Sequence, residues 1–93
     1  MTLLSDAAVA AELELIPGWT RVGTTIDRTY RFQSFKDAMF FVNDVAALAE
    51  SAGHHPDIAI HYDAVTLSLW THSAGGLTAK DFALARKIDA VLA

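Results

Sequence analysis

Residues 57–70 read DIAIHYDAVTLSLW, and their parsing decides the fold. DIAIHY and AVTLSLW are short runs rich in Ile, Val, Leu, Thr and aromatic residues, which predicts two strands joined by a tight turn near Asp63. Upstream, residues 34–53 read SFKDAMFFVNDVAALAESAG and show helical spacing instead. Phe35, Met39, Val42, Ala46 and Ala49 form one stripe, widened by Ala38, Phe41, Val45 and Leu48. Ser34 and Asp37 stand at capping-box spacing, although the box prefers Glu or Gln at the fourth place, and Gly53 ends the helix. Before it, WTRVGTTIDRTYRF (19–32) alternates. Ile26, Arg28, Tyr30 and Phe32 share one face and Thr25, Asp27, Thr29 and Arg31 the other, so a hairpin turning near Gly23 is expected.

Ser5 can cap a first helix over residues 6–15, with Val9, Leu13 and Ile16 at helical spacing, and Pro17-Gly18 stops it. Downstream, SAGG (73–76) is a loop, and Thr78 caps a last helix over residues 79–92 with Phe82, Ala85, Ile88 and Leu92 turned inward. The order is α-β-β-α-β-β-α. It predicts an α+β fold in a single domain over residues 1–93: a four-stranded antiparallel sheet with three helices packed on one face. An uncovered sheet edge offers a second subunit a place to pair.

Composition narrows the function. Of the 93 residues, 53% are hydrophobic and 19% charged, which excludes a disordered chain. The net charge of −4 gives a phosphate backbone nothing to bind, so no direct nucleic-acid binding is expected. There is no cysteine, which excludes disulfides and thiolate chemistry and is compatible with a reducing compartment. MTLLSDAAVAAELELIPGW lacks a basic leader region and is interrupted by Asp6 and Glu12, so it does not read as a signal peptide. No apolar run approaches membrane-spanning length, and a cytoplasmic protein is the expectation.

All four histidines, His54, His55, His61 and His72, fall between Glu50 and Asp81. No helical His-x-x-x-His pair occurs, so metal ligation is not expected, and no serine stands in a nucleophile elbow. Acid–base chemistry fits better, because an ordinary histidine, with a pKa near ~6.5, both gives and takes protons at neutral pH. Pro56 biases His55 toward extended backbone. In an antiparallel hairpin the start of one strand lies beside the end of the next, so His54, His55 and His72 are expected at one end of the sheet, with Asp81 near the same end. Plainer readings stand beside these. His61 reads as a surface residue and His72 as a loop residue. His54 can cap the carbonyls of a helix end. Asp81, three residues after Thr78, can serve only to complete a cap. Glu50 reads as a solvated helix residue, Trp19 as core or staple, and Tyr62 and Trp70 as core or interface aromatics.

Taken together, Glu50, His54-His55-Pro56, Tyr62, His72 and Asp81 give the pattern E-x3-H-H-P-x5-Y-x9-H-x8-D. With PGW at 17–19, FKDAMFFV at 35–42, TH at 71–72 and GLT at 76–78, nearly the whole chain resembles the pterin-4a-carbinolamine dehydratases, and no functional position departs from the family pattern. The resemblance implies the α-β-β-α-β-β-α fold and a hydro-lyase that converts 4a-hydroxytetrahydropterin to quinonoid dihydropterin without metal or other cofactor. It implies a role in recycling the tetrahydropterin used by aromatic amino-acid hydroxylases. By the same resemblance His54 and His72 are the acid–base pair, and His55 orients or binds the pterin or assists the transfer. Asp81 would orient a histidine or stabilise its cation, Pro56 holds the pair, Trp19 lines the ring pocket, and Glu50 is structural. A homodimer or homotetramer is implied. The alternative is a non-catalytic interaction module, since some relatives act as dimerisation partners of a homeodomain transcription factor or as assembly factors.

Overall fold

Two turns set the sheet. Gly23, at φ 62°, reverses the chain between β1 (Thr20–Val22) and β2 (Thr25–Arg31). Tyr62-Asp63 reverses it between β3 (Asp57–His61) and β4 (Ala64–Leu69). Tyr62 takes the left-handed conformation, φ 53°, which costs a non-glycine residue about 1–2 kcal/mol. The computed structural model describes residues 2–93. Its helices are α1 (Asp6–Glu14), α2 (Phe35–Ala52) and α3 (Ala79–Val91), with a short 3-10 turn at His72–Ala74. The element order is the one expected from the sequence, and the helices pack on one face of the sheet.

All strand pairs are antiparallel, in the order β1-β2-β4-β3, which leaves β1 and β3 as edges. The inward row of β4, Val65, Leu67 and Leu69, is fully buried, while Thr66 and Ser68 point to the open face. Facing that row are Val9 of α1, Ala38, Phe41, Val45 and Ala49 of α2, and Phe82, Leu84, Ala85 and Ile88 of α3. Burying each large apolar side chain here contributes about 1.5–3 kcal/mol.

Ser5, Ser34 and Thr78 accept backbone N–H groups at the three helix starts, and Gly53, in the left-handed region, closes α2. Three expected inward positions are placed otherwise. On α2 the buried line is Ala38, Phe41, Val45 and Ala49, so Phe35 and Ala46 are exposed. α2 carries apolar residues on two adjacent lines, and only one can face the sheet. Leu92 caps the end of α3, beyond its last packed turn, and is 51% exposed. Tyr62 occupies the tip of its turn and is 70% exposed, so of its two readings, core or interface, the core one falls.

At the far end of α3 the Asp89 carboxylate gathers three donors. The Trp19 indole N–H lies 3.1 Å from both of its oxygens, Arg28 is 3.0 Å from Oδ1, and the Tyr30 phenol donates to the same oxygen. Burial first, then the bond to Asp89, pushes the Tyr30 phenol well above its ordinary value, so it remains a donor. Arg28 offsets the unfavourable placement of a carboxylate near a helix C-terminus. Its guanidinium also crowds Gly18, whose φ is 103° and whose added Cβ would stand 2.7 Å from Arg28 Cζ. We expect Gly18→Ala to lower stability by about 1–3 kcal/mol, read as a fall in thermal midpoint, because both the backbone and the Arg28–Asp89 pair must yield.

Candidate active site

The end of α2 places two adjacent histidines on opposite sides of the chain. The left-handed turn at Gly53 lets the His54 N–H reach the Ala49 carbonyl at 3.1 Å, which turns the His54 ring inward. His54 is 8% exposed. His55 points outward, and its Nε2 pairs with the Glu50 carboxylate one turn back on α2. Pro56 then carries the chain into β3, whose first residue, Asp57, pairs with Ser68 near the end of β4. That register brings His54-His55-Pro56 beside Thr71-His72.

His54, His55, Pro56, Thr71, His72 and Lys80 border one open cavity of about 430 Å³. The His72 ring stacks on Trp70, with centroids 4.2 Å apart and planes at 12°. Trp70, just past the end of β4, thus backs the His72 ring.

Asp81 is wholly buried beneath His54. Its Oδ1 lies 2.6 Å from His54 Nε2, and its Oδ2 accepts the Thr78 N–H at 2.9 Å and the Thr71 hydroxyl at 3.0 Å. The two readings of Asp81 from sequence, helix cap or histidine partner, are therefore both realised by different oxygens of one carboxylate. A carboxylate only accepts, so His54 Nε2 carries the proton. Among the described residues Nδ1 has no hydrogen-bond partner and no buried side-chain nitrogen or oxygen lacks one, so Nδ1 opens to the cavity. The arrangement can therefore exchange a proton at Nδ1 while a buried anion steadies the cation formed there.

Trp19 does not border this cavity. It is buried against Tyr30 at the Asp89 cluster, eight residues along α3 from Asp81, or about 12 Å of helix axis. His61 sits exposed beside the β3–β4 turn, at the opposite end of the strand. The described residues hold no cluster of three His, Asp or Glu side chains arranged to grip a metal ion. Sequence reasoning missed Thr71 and Lys80. The signal for Thr71 was available: it continues the inward parity of Val65, Leu67 and Leu69, which marks a buried polar group needing partners.

The fold is an α+β domain in which a carboxylate-backed histidine opens on a cavity bordered by two further histidines. Residues 2–91 match the model of the pterin 4 alpha carbinolamine dehydratase family, and the chain belongs to that family. A Thermomicrobium roseum protein, provisionally named a pterin-4-alpha-carbinolamine dehydratase, is 57% identical over 95% of both chains. One from Roseiflexus sp., provisionally named in the same way, is 55% identical over 98% of both. Among solved structures, one described as a transcriptional coactivator/pterin dehydratase from Brucella melitensis superposes with a TM-score of 0.94 at 32% identity, covering 99% of this chain and 100% of that one. A pterin dehydratase-like protein described as a RuBisCO assembly factor in the alpha-carboxysome shares the fold, with a TM-score of 0.69 at 24% identity over 81% of this chain and 89% of its own. Among the described residues no helix is long and apolar enough to cross a membrane.

Proposed function

We propose that this cavity dehydrates 4a-hydroxytetrahydropterins. The observation that carries the reading is the buried Asp81–His54 pair opening on a cavity shared with His55 and His72. The C4a–O bond breaks with its electron pair, and a histidinium supplies the proton that makes the leaving hydroxide water. A neutral histidine removes the N5 proton, and the N–H electron pair becomes the new N5=C4a double bond of the quinonoid dihydropterin. His54 and His72 take these two roles, with His55 and Pro56 holding the pterin ring. Trp19, tied up by Asp89, has no place in this reading. The chemistry calls for no metal or redox cofactor, so activity should survive exhaustive chelation. The hydroxylase link and a cytoplasmic setting follow from the same reading.

The test is an absorbance assay of 4a-hydroxypterin dehydration by the purified protein. A rate well above the spontaneous one supports the enzyme. A rate equal to it supports the alternative, a non-catalytic interaction module, which the Brucella relative's description keeps in view.

We further propose a homodimer or homotetramer. Two strand edges are open, and Phe35, Phe40, Ile60, Tyr62 and Leu92 are exposed, a large apolar surface for so small a chain. Light scattering at micromolar concentration should give a mass of two or four chains, and a monomer would refute the proposal.

A further inference from the structure

Thr71 joins both halves of the cavity. Its backbone makes the turn that carries His72: its carbonyl accepts the N–H groups of Ala74 (3.1 Å), Gly75 (3.0 Å) and Gly76 (3.3 Å), and its own N–H donates to the Gly76 carbonyl at 2.9 Å. Its hydroxyl, buried with the rest of the side chain, lies 2.7 Å from the Thr78 hydroxyl and 3.0 Å from Asp81 Oδ2. The direction of these bonds follows from proton count. Asp81 can only accept, so Thr71 spends its single proton there. The Thr78 hydroxyl must then donate to Thr71 Oγ1, while accepting the Lys80 N–H at 3.3 Å.

The result is a one-way chain, Thr78 to Thr71 to Asp81 Oδ2, with Oδ1 left for the His54 Nε2–H. A capping box alone supplies only the Thr78 N–H to Oδ2. The Thr71 hydroxyl adds a second donor there and fixes how the carboxylate is rotated.

We propose that Thr71 is a positioning residue: by fixing the rotation of the Asp81 carboxylate it aims the His54 ring, with Nδ1 toward the cavity, in the same frame that carries His72. This rests on the dehydratase reading for its kinetic consequence but not for its structural one. Thr71→Val keeps the shape and removes the hydroxyl. It should lower kcat by about 10- to 100-fold with KM within about twofold, because the ring is misplaced for proton transfer while the cavity wall stays put. Thr71→Ser should restore kcat to within about threefold of the parent.

Imidazole nitrogen chemical shifts provide the second readout. With the ring neutral, His54 should carry its proton on Nε2 in both proteins, because the carboxylate remains the acceptor, but in Thr71→Val its ring signals should shift and broaden, as for a ring no longer held in one orientation. Full kcat in Thr71→Val, or a parent His54 protonated on Nδ1, would overturn the proposal. If Thr71→Val does not fold, Thr71→Ala removes the same hydroxyl and takes its place. If the parent protein shows no dehydration, the functional reading falls by itself. The His54 ring signals of parent and variant then decide the positioning role, unchanged shifts and linewidths in Thr71→Val overturning it.

Discussion

His54→Ala and His72→Ala should each lower kcat/KM for the proposed 4a-hydroxypterin dehydration by on the order of 10²-fold or more, the usual worth of a positioned acid or base. The two sites should differ in their effect on folding. His54→Ala leaves the buried Asp81 Oδ1 without its donor, so it also lowers stability, by about 1–3 kcal/mol. His72 is exposed and rests on Trp70, so His72→Ala should leave the thermal midpoint nearly unchanged. His61→Ala, at the far end of β3, should change neither rate nor stability. Steady-state kinetics and thermal melts of the three variants check the pattern. Parent-like activity in the His54→Ala/His72→Ala double variant would end the acid–base reading.

Asp81→Asn should be as damaging to the rate and far gentler on the fold. Asn brings one acceptor oxygen where Asp has two. Directed at Thr71 and Thr78, that oxygen preserves the cap and the hydroxyl chain, and the NH2 then faces His54 Nε2. Two donors cannot meet, so the His54 proton moves to Nδ1 and the lone pair at the cavity disappears. The opposite rotation sets the NH2 against two donors at once and is worse. The expected loss in kcat/KM is at least on the order of 10²-fold, the usual worth of a positioned acid or base, and a wrong tautomer can cost about 10⁴-fold. The thermal midpoint should move by only a few degrees, as for a loss near 1 kcal/mol. Asp81→Ser behaves differently, because its short side chain abandons the His54 N–H and the Thr71 hydroxyl together. We expect it to cost about 2–4 kcal/mol of stability as well as the rate. Full activity in Asp81→Asn would return Asp81 to the helix alone.

What was legible in the sequence was whatever depends on spacing. The two-residue period of Ile26 to Phe32 and the helical period of residues 35–49 gave the elements, and Ser34, Gly53 and Thr78 gave their ends. Antiparallel pairing then brought the His54-His55 end of β3 to His72. Spacing gives the period of a helix but not its rotation when two apolar lines compete, which is why Phe35 and Ala46 read as inward from sequence yet are exposed. It also gives no information about which end of α3 a distant side chain meets. Trp19 lies 70 residues from Asp89 in sequence, and only the packing of β1 and β2 under the end of α3 unites them. The dual use of Asp81 was hidden for a different reason. Spacing treats a carboxylate as one group, whereas the fold uses its oxygens separately.

The two carboxylates of α3 have a consequence for motion. Asp81 is tied to His54, Thr71 and Thr78 at one end, and Asp89 to Trp19, Arg28 and Tyr30 at the other, while Phe82, Ala85 and Ile88 are buried between them. Between these two anchors the helix has no free end from which to fray, and the amide hydrogens of residues 82–89 should exchange only through global unfolding. α1 is the contrast: it buries only Val9 and should open by itself, exchanging its amides far sooner. Local breathing of that kind leaves the histidine cavity intact. The cavity should therefore persist up to the cooperative transition of the whole domain, with activity and α3 protection lost at the same denaturant concentration.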